Sequence, residues 1–378
     1  MQLPKKRKLR KVMWIIFSII ALLAIVVVVF VSQPNFGKTP GGERLERVKR
    51  SPNYRDGGFK NIHETQQITS DKGILGSFIE FVFVKKERLR PETDLPSVRT
   101  NLWDLDKNDD LIVWFGHSSY LLQVDGVRIL VDPVLSGAAS PVSFVNKPFK
   151  GTDMYKPEDI PEIDYLVISH DHWDHLDYKT VMALKGRTNK IICGLGVAEH
   201  FEYWRFDKER IIELDWNESA GLDNGFSVHC LPARHFSGRG LSPNQSLWAS
   251  FLLETPTQKI YIGGDSGYDD TQFVDISNRF PDIDLAILEN GQYDKDWRYI
   301  HLLPELIVQA FKDLKAKKLF TVHHSKYALG YHPWDEPVKN ISAFAEKDSI
   351  NLILPMIGEV VNLKDSTYVI NKWWEGIQ

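Results

Sequence analysis

The feature that most constrains the fold is a run of metal-ligand side chains directly after a predicted buried strand. Residues 163–168, IDYLVI, have the apolar character of such a strand, and residues 169–177 then read SHDHWDHLD. Residues i and i+2 project to the same side of an extended chain, so His170 and His172 lie together. Asp174 and His175 fall at the start of the next helix. Imidazole and carboxylate groups suit Zn²⁺, and four ligands this close together indicate two metal ions, one for each pair.

Each ion needs further ligands, and the candidates stand where later predicted strands end. His235 closes FSVHCLPARH, and Asp265 closes KIYIGGD, where neighbouring glycines allow a close backbone approach and a carboxylate can bridge two ions. The last candidate is His323 or His324, at the end of LFTVHH. A lone histidine at a strand end is usually a satisfied polar residue, but this whole set in this order indicates a metal site.

Predicted strands and helices alternate from about residue 106 to the end of the chain at residue 378. Residues 111–134 contain two strand-like runs joined by Asp125-Gly126, a strong hairpin signal. Helical patterns such as PELIVQAFKDLKAKK then alternate with apolar strands such as IDLAILEN. This pattern predicts an α/β sandwich with mixed sheets over residues 106–378.

Residues Val12–Val31 form an uncharged run of 20 in which Ser18 is the polar exception. At about 1.5 Å per residue the run spans about 30 Å, which predicts a transmembrane helix over residues 12–31. A cleaved signal peptide is the alternative, but its apolar part has only about 7–15 residues and is followed by small residues, unlike VFVSQPNFG.

Charge predicts the orientation of that helix and the class of partner. Residues 1–11 form a basic tail without acidic residues, whose charges are Lys5, Lys6, Arg7, Lys8, Arg10 and Lys11. The positive-inside rule places this tail in the cytoplasm and the domain outside, although the basic residues of 44–50 reduce the asymmetry. The remainder carries 40 Lys and Arg against 50 Asp and Glu. This acidic balance argues against nucleic acid as a partner.

Residues 32–105 are rich in Pro, Gly and charge and are expected to be a linker. Within them, residues 74–92 are first apolar and aromatic and then basic, with Lys85, Lys86, Arg88 and Arg90. One interpretation is a segment on the lipid surface with these charges at the headgroups, and the other is a helix packed on the domain. Cys193 and Cys230 are expected to be buried free thiols, with one disulfide as the alternative outside the cytoplasm.

The full set of motifs resembles the metallo-β-lactamase superfamily. The branch that is most similar contains N-acyl-phosphatidylethanolamine-hydrolysing phospholipase D and its bacterial relatives. The resemblance extends over residues 37–337 and rests on the ligand run and on WFGHSSYLLQVDGVRILVDPV, ARHFSGRG, IGGDSGY, HLLPE and VHHSKYALGYHPWDEP. It implies an αββα sandwich of two mixed sheets with a dinuclear site. This site would bind two divalent metal ions, which we expect to be Zn²⁺.

Carried over residue by residue, the resemblance implies the ligands of each ion. His170, His172 and His235 would hold the first ion, Asp174, His175 and His323 the second, and Asp265 would bridge both. Relatives have a His-Trp-Gly-Thr-Phe-like stretch where this chain has HHSKY, so His323 aligns as the ligand and His324 with the Trp. His301 matches a histidine near the substrate. His117 of GHSS is a second candidate substrate contact, and Asp132 of VDP is expected to orient a ligand histidine.

Two ions close together can share a water, lower its pKa and stabilise an oxyanion. We therefore expect hydrolysis by a metal-bound hydroxide, with Asp174, Asp265 and His301 as catalytic residues. The branch, the anchor and the apolar and basic stretch together favour a phospholipase D type phosphodiesterase acting on phosphatidylethanolamine-like lipids, N-acylated or plain, in the bilayer. A homo-oligomer is compatible with the sequence.

Two alternatives stay open. A lactonase or sugar-phosphate hydrolase would show a small cationic pocket, whereas a lipid enzyme would show a groove lined by Phe, Leu and Trp. A non-catalytic, membrane-tethered binding protein is disfavoured by the complete ligand set. Di-iron redox chemistry is disfavoured because flavodiiron relatives carry Glu where this chain has His172.

Overall fold

A long apolar helix begins the chain. The structure, a computed structural model, describes residues 4–70, 76 and 87–377. Helix α1 (Pro4–Val31) has a segment, Leu9–Val31, long and apolar enough to cross a membrane, and it is not buried against the described part of the chain. Helix α2 (Gly42–Arg50) and the short hairpin of β1 (Tyr54–Arg55) and β2 (Gly58–Phe59) follow.

The first of two seven-stranded sheets is built mainly from the first half of the domain. Its strands are β3 (Leu111–Trp114), β4 (Tyr120–Val124), β5 (Val127–Val131), β6 (Ile163–Ile168), β7 (Thr188–Gly194) and β8 (Ile211–Leu214). They lie in this order, antiparallel up to β5 and parallel from β5 onwards. Helices α3 (Tyr178–Leu184) and α4 (Ala198–Tyr203) follow β6 and β7.

The second sheet has the same division into antiparallel and parallel halves. Its strands are β9 (Ser219–Gly221), β10 (Ser227–Leu231), β11 (Ser250–Glu254), β12 (Lys259–Ile262), β13 (Leu285–Glu289), β14 (Lys318–Val322) and β15 (Leu352–Ile353). They lie in chain order and are parallel from β12 onwards. Helices α5 (Gln272–Arg279), α6 (Pro304–Leu314) and α7 (Glu336–Asp348) pack side by side, with α6 on β13. Strand β16 (Val360–Asn362) returns to pair with β3 in the first sheet.

These two mixed sheets with outer helices confirm the predicted αββα sandwich. The strands are apolar on both faces because each sheet is covered by the other sheet on one side and by helices on the other. Val48 and Phe59, in the segment expected to be a linker, belong to the hydrophobic core, so part of that segment packs on the domain. Cys193 and Cys230 are buried and free, as expected. The stretch at 74–92 lies mostly outside the described residues, and its relation to a membrane stays a prediction.

Candidate metal centre

Polar residues cluster where the parallel strands of both sheets end. Since carboxyl ends of parallel strands meet at one edge, residues distant in sequence come together there. Strand β5 leads to Asp132, β6 to the SHDHWDHLD loop, β12 to Asp265, β13 to Glu289 and β14 to His323. Gly264, just before Asp265, has φ +60°, and a Cβ there would lie 2.9 Å from the carbonyl oxygen of Ala249. The close approach expected from the glycines is therefore present.

His170, His172 and His235 form the first group of the centre. One ring nitrogen from each lies within 4.8 Å of the others. Nε2 of His170 is 2.9 Å from Nδ1 of His172, and Nε2 of His235 is 3.3 Å from that same atom. His170 and His235 are buried, whereas His172 is partly exposed. Three imidazoles converging on one point suit a divalent metal ion.

The second group consists of His117, Asp174, His175 and His323, whose ligand atoms also lie within 4.8 Å of one another. Oδ2 of Asp174 is 2.9 Å from Nε2 of His117 and 3.5 Å from Nε2 of His175. His117 is fully buried, and its ring centroid is 4.1 Å from that of His323. His117 is thus a neighbour of the candidate ligands, and a direct substrate contact by this residue stays a prediction.

Asp265 lies between the two groups. Its Oδ2 atom is 3.2 Å from Nε2 of His175, 3.8 Å from Nε2 of His235 and 4.0 Å from Nε2 of His170. Its Oδ1 atom is 3.2 Å from Nδ1 of His323. The two oxygens of one carboxylate thus face both groups, which is the geometry that a bridging ligand requires.

Hydrogen bonds on the outer ring nitrogens orient the ligand histidines. Nδ1 of His175 is 2.8 Å from Oδ2 of Asp132, and the Ser169 hydroxyl donates to the same carboxylate at 2.6 Å. Nδ1 of His235 is 2.8 Å from the carbonyl oxygen of Ile300. Fixing one nitrogen leaves the other directed into the centre. Asp132 therefore lies in hydrogen-bond contact with a candidate ligand histidine, and its orienting role stays a prediction.

Electrostatics favours the metal-binding form of most of these side chains. Burial lowers the pKa values of His170, His235 and His323 well below the usual value, so these rings are neutral. Although burial opposes ionisation, neighbouring histidines hold the pKa of Asp265 well below its usual range. His175 is the exception, because the carboxylates around it outweigh burial and raise its pKa. A metal ion would compete with that proton for Nε2.

Unsatisfied polar atoms are a second reason why these residues fit metal ions. Within the described part of the chain, Nδ1 of His117, Nε2 of His175 and Oδ1 of Asp265 are buried side-chain atoms that make no hydrogen bond of good geometry. Such atoms are costly in a folded protein unless another group satisfies them. The atoms of His175 and Asp265 face the centre, where divalent ions would satisfy them.

Adjacent residues at the end of β14 have different surroundings. Nδ1 of His323 is 2.9 Å from the Ser118 hydroxyl and faces Asp265. The ring of His324 packs 4.7 Å from that of Trp114, and its Nδ1 is 2.8 Å from the Ser325 hydroxyl. His324 thus lies in the core, and His323 is the one that reaches the centre.

His301 lies at the edge of the centre with an acidic partner that the sequence analysis missed. Its Nδ1 atom is 2.7 Å from Oε2 of Glu289, while Oε1 of Glu289 accepts the backbone N–H groups of Ser266 and Leu302. The rings of His235 and His323 are 5.0 and 5.4 Å from that of His301. Burial raises the pKa of Glu289 to about 7. The sequence does contain a signal for Glu289, because it is a charged residue at the end of the apolar strand β13.

Asp171 stabilises the ligand loop through its hydrogen bonds. Its carboxylate accepts the Gly238 N–H at 2.7 Å and the Ser246 hydroxyl at 2.7 Å, and lies 3.1 Å from Nε2 of His200. These three contacts tie the loop to distant segments of the chain.

A groove of about 1040 Å³ reaches His235 from the surface. Polar side chains such as Lys60, Glu64 and Gln67 line much of it, with Phe59 and Ile62 among the apolar members. It is too large for the small cationic pocket expected of a lactonase and more polar than the groove expected of a lipid enzyme. Its lining therefore favours neither alternative.

Comparisons with known proteins agree with this fold. The beta-lactamase superfamily domain model matches residues 127–324. An uncharacterized protein of Mycobacterium tuberculosis is 38% identical over 330 residues, covering 86% of this chain and 88% of that protein. An N-acyl-phosphatidylethanolamine-hydrolyzing phospholipase D of Caenorhabditis elegans is 29% identical over 273 residues, covering 67% of this chain and 75% of that protein.

A solved structure shows the same fold. A diiron beta-hydroxylase from Streptomyces venezuelae superposes with a TM-score of 0.52 at 15% identity, covering 67% of this chain and 54% of that one. Since the domain model matches more than half of the chain, the chain belongs to the beta-lactamase superfamily, a superfamily of metal-dependent hydrolases.

Proposed function

We propose that the protein is a membrane-anchored, dinuclear metal hydrolase of phospholipase D type that acts on phosphatidylethanolamine-like lipids, N-acylated or plain. The observation that supports the dinuclear part is the position of Asp265. Its Oδ2 atom lies 3.8 and 4.0 Å from His235 and His170 of the first group, and its Oδ1 atom lies 3.2 Å from His323 of the second. The lipid part is supported by the similarity to the phospholipase D of Caenorhabditis elegans and by the apolar helix α1.

In this proposal each ion would have its own ligands, and Asp265 would be shared by both. His170, His172 and His235 would hold the first ion. Asp174, His175 and His323 would hold the second. Zn²⁺ suits both sets, because imidazole and carboxylate are its usual ligands. When bound, two such ions supply an activated water and stabilise negative charge on the phosphate.

The chain's own side chains would position the reactants. Asp174 and Asp265 accept hydrogen bonds and can orient the attacking water. The oxygen of that water forms a bond to phosphorus, and the bond from phosphorus to the headgroup oxygen breaks. In this proposal His301, held by Glu289, gives the departing alcohol its proton, and a proton of the consumed water replaces it. Phosphatidic acid and the headgroup alcohol are the products.

We propose the cell membrane as the location, with the N-terminus in the cytoplasm and the domain outside. The basic residues before α1 support this orientation. A reporter fused after Gln378 should be active only outside the cytoplasm, and a cytoplasmic signal would reverse the proposed topology.

Lipid turnover tests the proposed function. The purified full chain should be incubated in detergent micelles with N-acylated phosphatidylethanolamine, plain phosphatidylethanolamine, phosphatidylcholine and a panel of lactones. Release of phosphatidic acid from a phospholipid supports the proposal. Turnover of lactones alone would favour a lactonase, and no turnover with bound metal would favour a binding protein.

Two variants show whether turnover comes from the centre. Asp265→Asn removes the bridging charge and should abolish release of phosphatidic acid while the chain stays folded. Asp284→Asn is the control. Asp284 pairs with Lys317 and lies directly before β13, at the edge of the sheet opposite the centre, so this variant should behave as wild type.

A further inference from the structure

The segment that leaves the membrane helix packs directly on the ligand loop. The ring of Phe36 lies 4.9 Å from that of Trp173, which stands between His172 and Asp174 in that loop. The ring of Phe30, in the last turn of α1, is 5.1 Å from that of Phe36. One continuous aromatic contact thus joins the end of the apolar helix to the loop that carries four candidate ligands.

Hydrogen bonds fix the same segment immediately before Phe36. The Trp204 indole N–H donates to the carbonyl oxygen of Pro34 at 2.7 Å. Arg239 donates to the carbonyl oxygen of Asn35 at 2.8 Å and to that of Asp171 at 2.8 Å. The guanidinium of Arg239 also lies 4.0 Å from the centre of the Trp173 ring. Arg239 is buried, so it links the segment to the ligand loop from within.

Ion pairs of α2 hold the next part of the segment. Arg44 pairs with Glu199 at 2.8 Å, with Glu213 at 3.1 Å and with Glu202. These contacts involve α4, which follows β7, and β8, the edge strand of the first sheet that pairs with β7. A guanidinium that binds three carboxylates has a defined orientation. Residues 34–50 therefore form a fixed connection between α1 and the domain.

This connection limits how far the centre can lie from a bilayer crossed by α1. The span ends at Val31, and Phe36 is five residues later, which is at most about 18 Å of extended chain. Trp173, which contacts Phe36, is one of three consecutive partly exposed residues of the ligand loop, together with His172 and Asp174. The exposed side of the ligand loop therefore lies close to the end of the span.

An exposed apolar side chain stands beside this junction. A cavity of about 320 Å³ is lined by Val31, Phe36, Asp171 and Arg239, and by Leu241 on the loop that follows His235. Leu241 is 76% exposed. Leu241 thus lies next to the end of the membrane helix. Exposed apolar side chains in such positions typically enter the headgroup region of the bilayer.

We infer that the face of the domain carrying the metal centre rests on the membrane that α1 spans, with Leu241 in the headgroup region. The partner of this face is the lipid bilayer, and the proposed lipid substrate would reach the centre from that same membrane. The inference rests on the proposed function for its substrate, but the orientation itself can be measured without any turnover.

Spin labels test the orientation. Leu241→Cys and Val369→Cys variants of the full chain should each carry a nitroxide after reconstitution into phosphatidylcholine vesicles. Cys193 and Cys230 are both 0% exposed, so the new thiol is labelled selectively. Val369 is the matched control, because it is 86% exposed. The residues just before it lie beside the N-terminal ends of β14 and β15, whereas the metal centre lies at the carboxyl ends of the strands. A water-soluble nickel chelate should relax the label at 241 about fivefold less than the label at 369. Equal relaxation would overturn the inference.

Turnover gives an independent test with matched charge substitutions. Leu241→Asp should lower hydrolysis of N-acylated phosphatidylethanolamine about tenfold when enzyme and lipid share a vesicle, because a carboxylate resists entry into the membrane interface. The same variant should retain its rate on that lipid in detergent micelles, and Val369→Asp should match wild type in both assays. Full vesicle activity of Leu241→Asp would overturn the inference. A wild-type chain inactive in both assays would instead overturn the proposed function and leave the spin-label result to decide the orientation.

Discussion

Nδ1 of His175 lies 2.8 Å from Oδ2 of Asp132, which leaves Nε2 of the same ring facing Asp265 at 3.2 Å. Asp132 thus determines which nitrogen of His175 is available to an ion. Its carboxylate also accepts the backbone N–H of Ser169, at the start of the ligand loop. One buried aspartate therefore contacts both a candidate ligand and the loop that carries it.

Asp132→Asn should weaken metal binding about 10- to 100-fold without preventing folding, because an orienting partner of a ligand histidine loses its charge. Competition with a chelator measures this effect. Asp110→Asn is the matched control, since Asp110 is equally buried but lies before β3, where it pairs with Lys364. Equal metal affinity in the two variants would show that Asp132 does not orient the ligand.

Glu289→Gln should lower kcat about 10- to 100-fold with metal content unchanged, because His301 loses the charge that stabilises its protonated form. Burial opposes protonation of His301, and Glu289 raises its pKa. Removing the charge lowers that pKa, so the loss of activity on the alkaline side should move to lower pH. The pH profile of kcat measures the shift.

A second glutamate and histidine pair provides the control for Glu289→Gln. Nε2 of His229 is 2.8 Å from Oε2 of Glu254, at the other end of the second sheet. Glu254→Gln should leave the pH profile unchanged. If the pH profile of kcat is also unchanged in Glu289→Gln, Glu289 does not stabilise the protonated form of His301.

His323→Gln and His324→Gln should differ in metal content. His323 faces Asp265, so its loss should remove about one ion per chain. His324 packs on Trp114 in the core, so its loss should lower the unfolding temperature and leave metal content unchanged. Elemental analysis of both folded variants distinguishes them, and loss of an ion only from His324→Gln would reverse the assignment.

Asp171→Ala should lower the free energy of unfolding by about 3 kcal/mol, since buried donors of Gly238 and Ser246 lose their acceptor. Although burial opposes ionisation, His200 holds the pKa of Asp171 below its usual range. A lowered folded-state pKa stabilises the fold above about pH 4, and this contribution disappears as the pH falls further. Urea unfolding at pH 7 and pH 3 should show a larger difference between wild type and variant at pH 7.

The ligand run and the strands that deliver it could be predicted from sequence because both depend on local spacing. The strand before His170 and the residues after it are adjacent in the chain, so their convergence needs no long-range information. The choice between His323 and His324 could not be made this way. Neighbouring residues at a strand end face opposite sides, and His323 has φ +69°, which departs from the strand geometry.

Contacts between segments that are distant in the chain could not be predicted from the sequence. The charge of Glu289 at the end of an apolar strand is visible in the sequence, but its neighbours Asp265 and His301 are not, because they come next to it only when β13 lies beside β12. The packing of Phe36 on Trp173 likewise joins residues far apart in the chain. A segment expected to be a linker from its Pro, Gly and charge instead carries an arginine with three carboxylate partners, because composition does not reveal which partners folding provides.

The metal content of the purified full chain tests the central claim most directly. Protein prepared without chelator should contain two divalent ions per chain by elemental analysis, with zinc as the main element, and Asp265→Asn should contain fewer. Two ions per chain would agree with two ligand groups joined by Asp265. No metal, or a single ion in the wild-type chain at saturating zinc, would contradict the dinuclear centre.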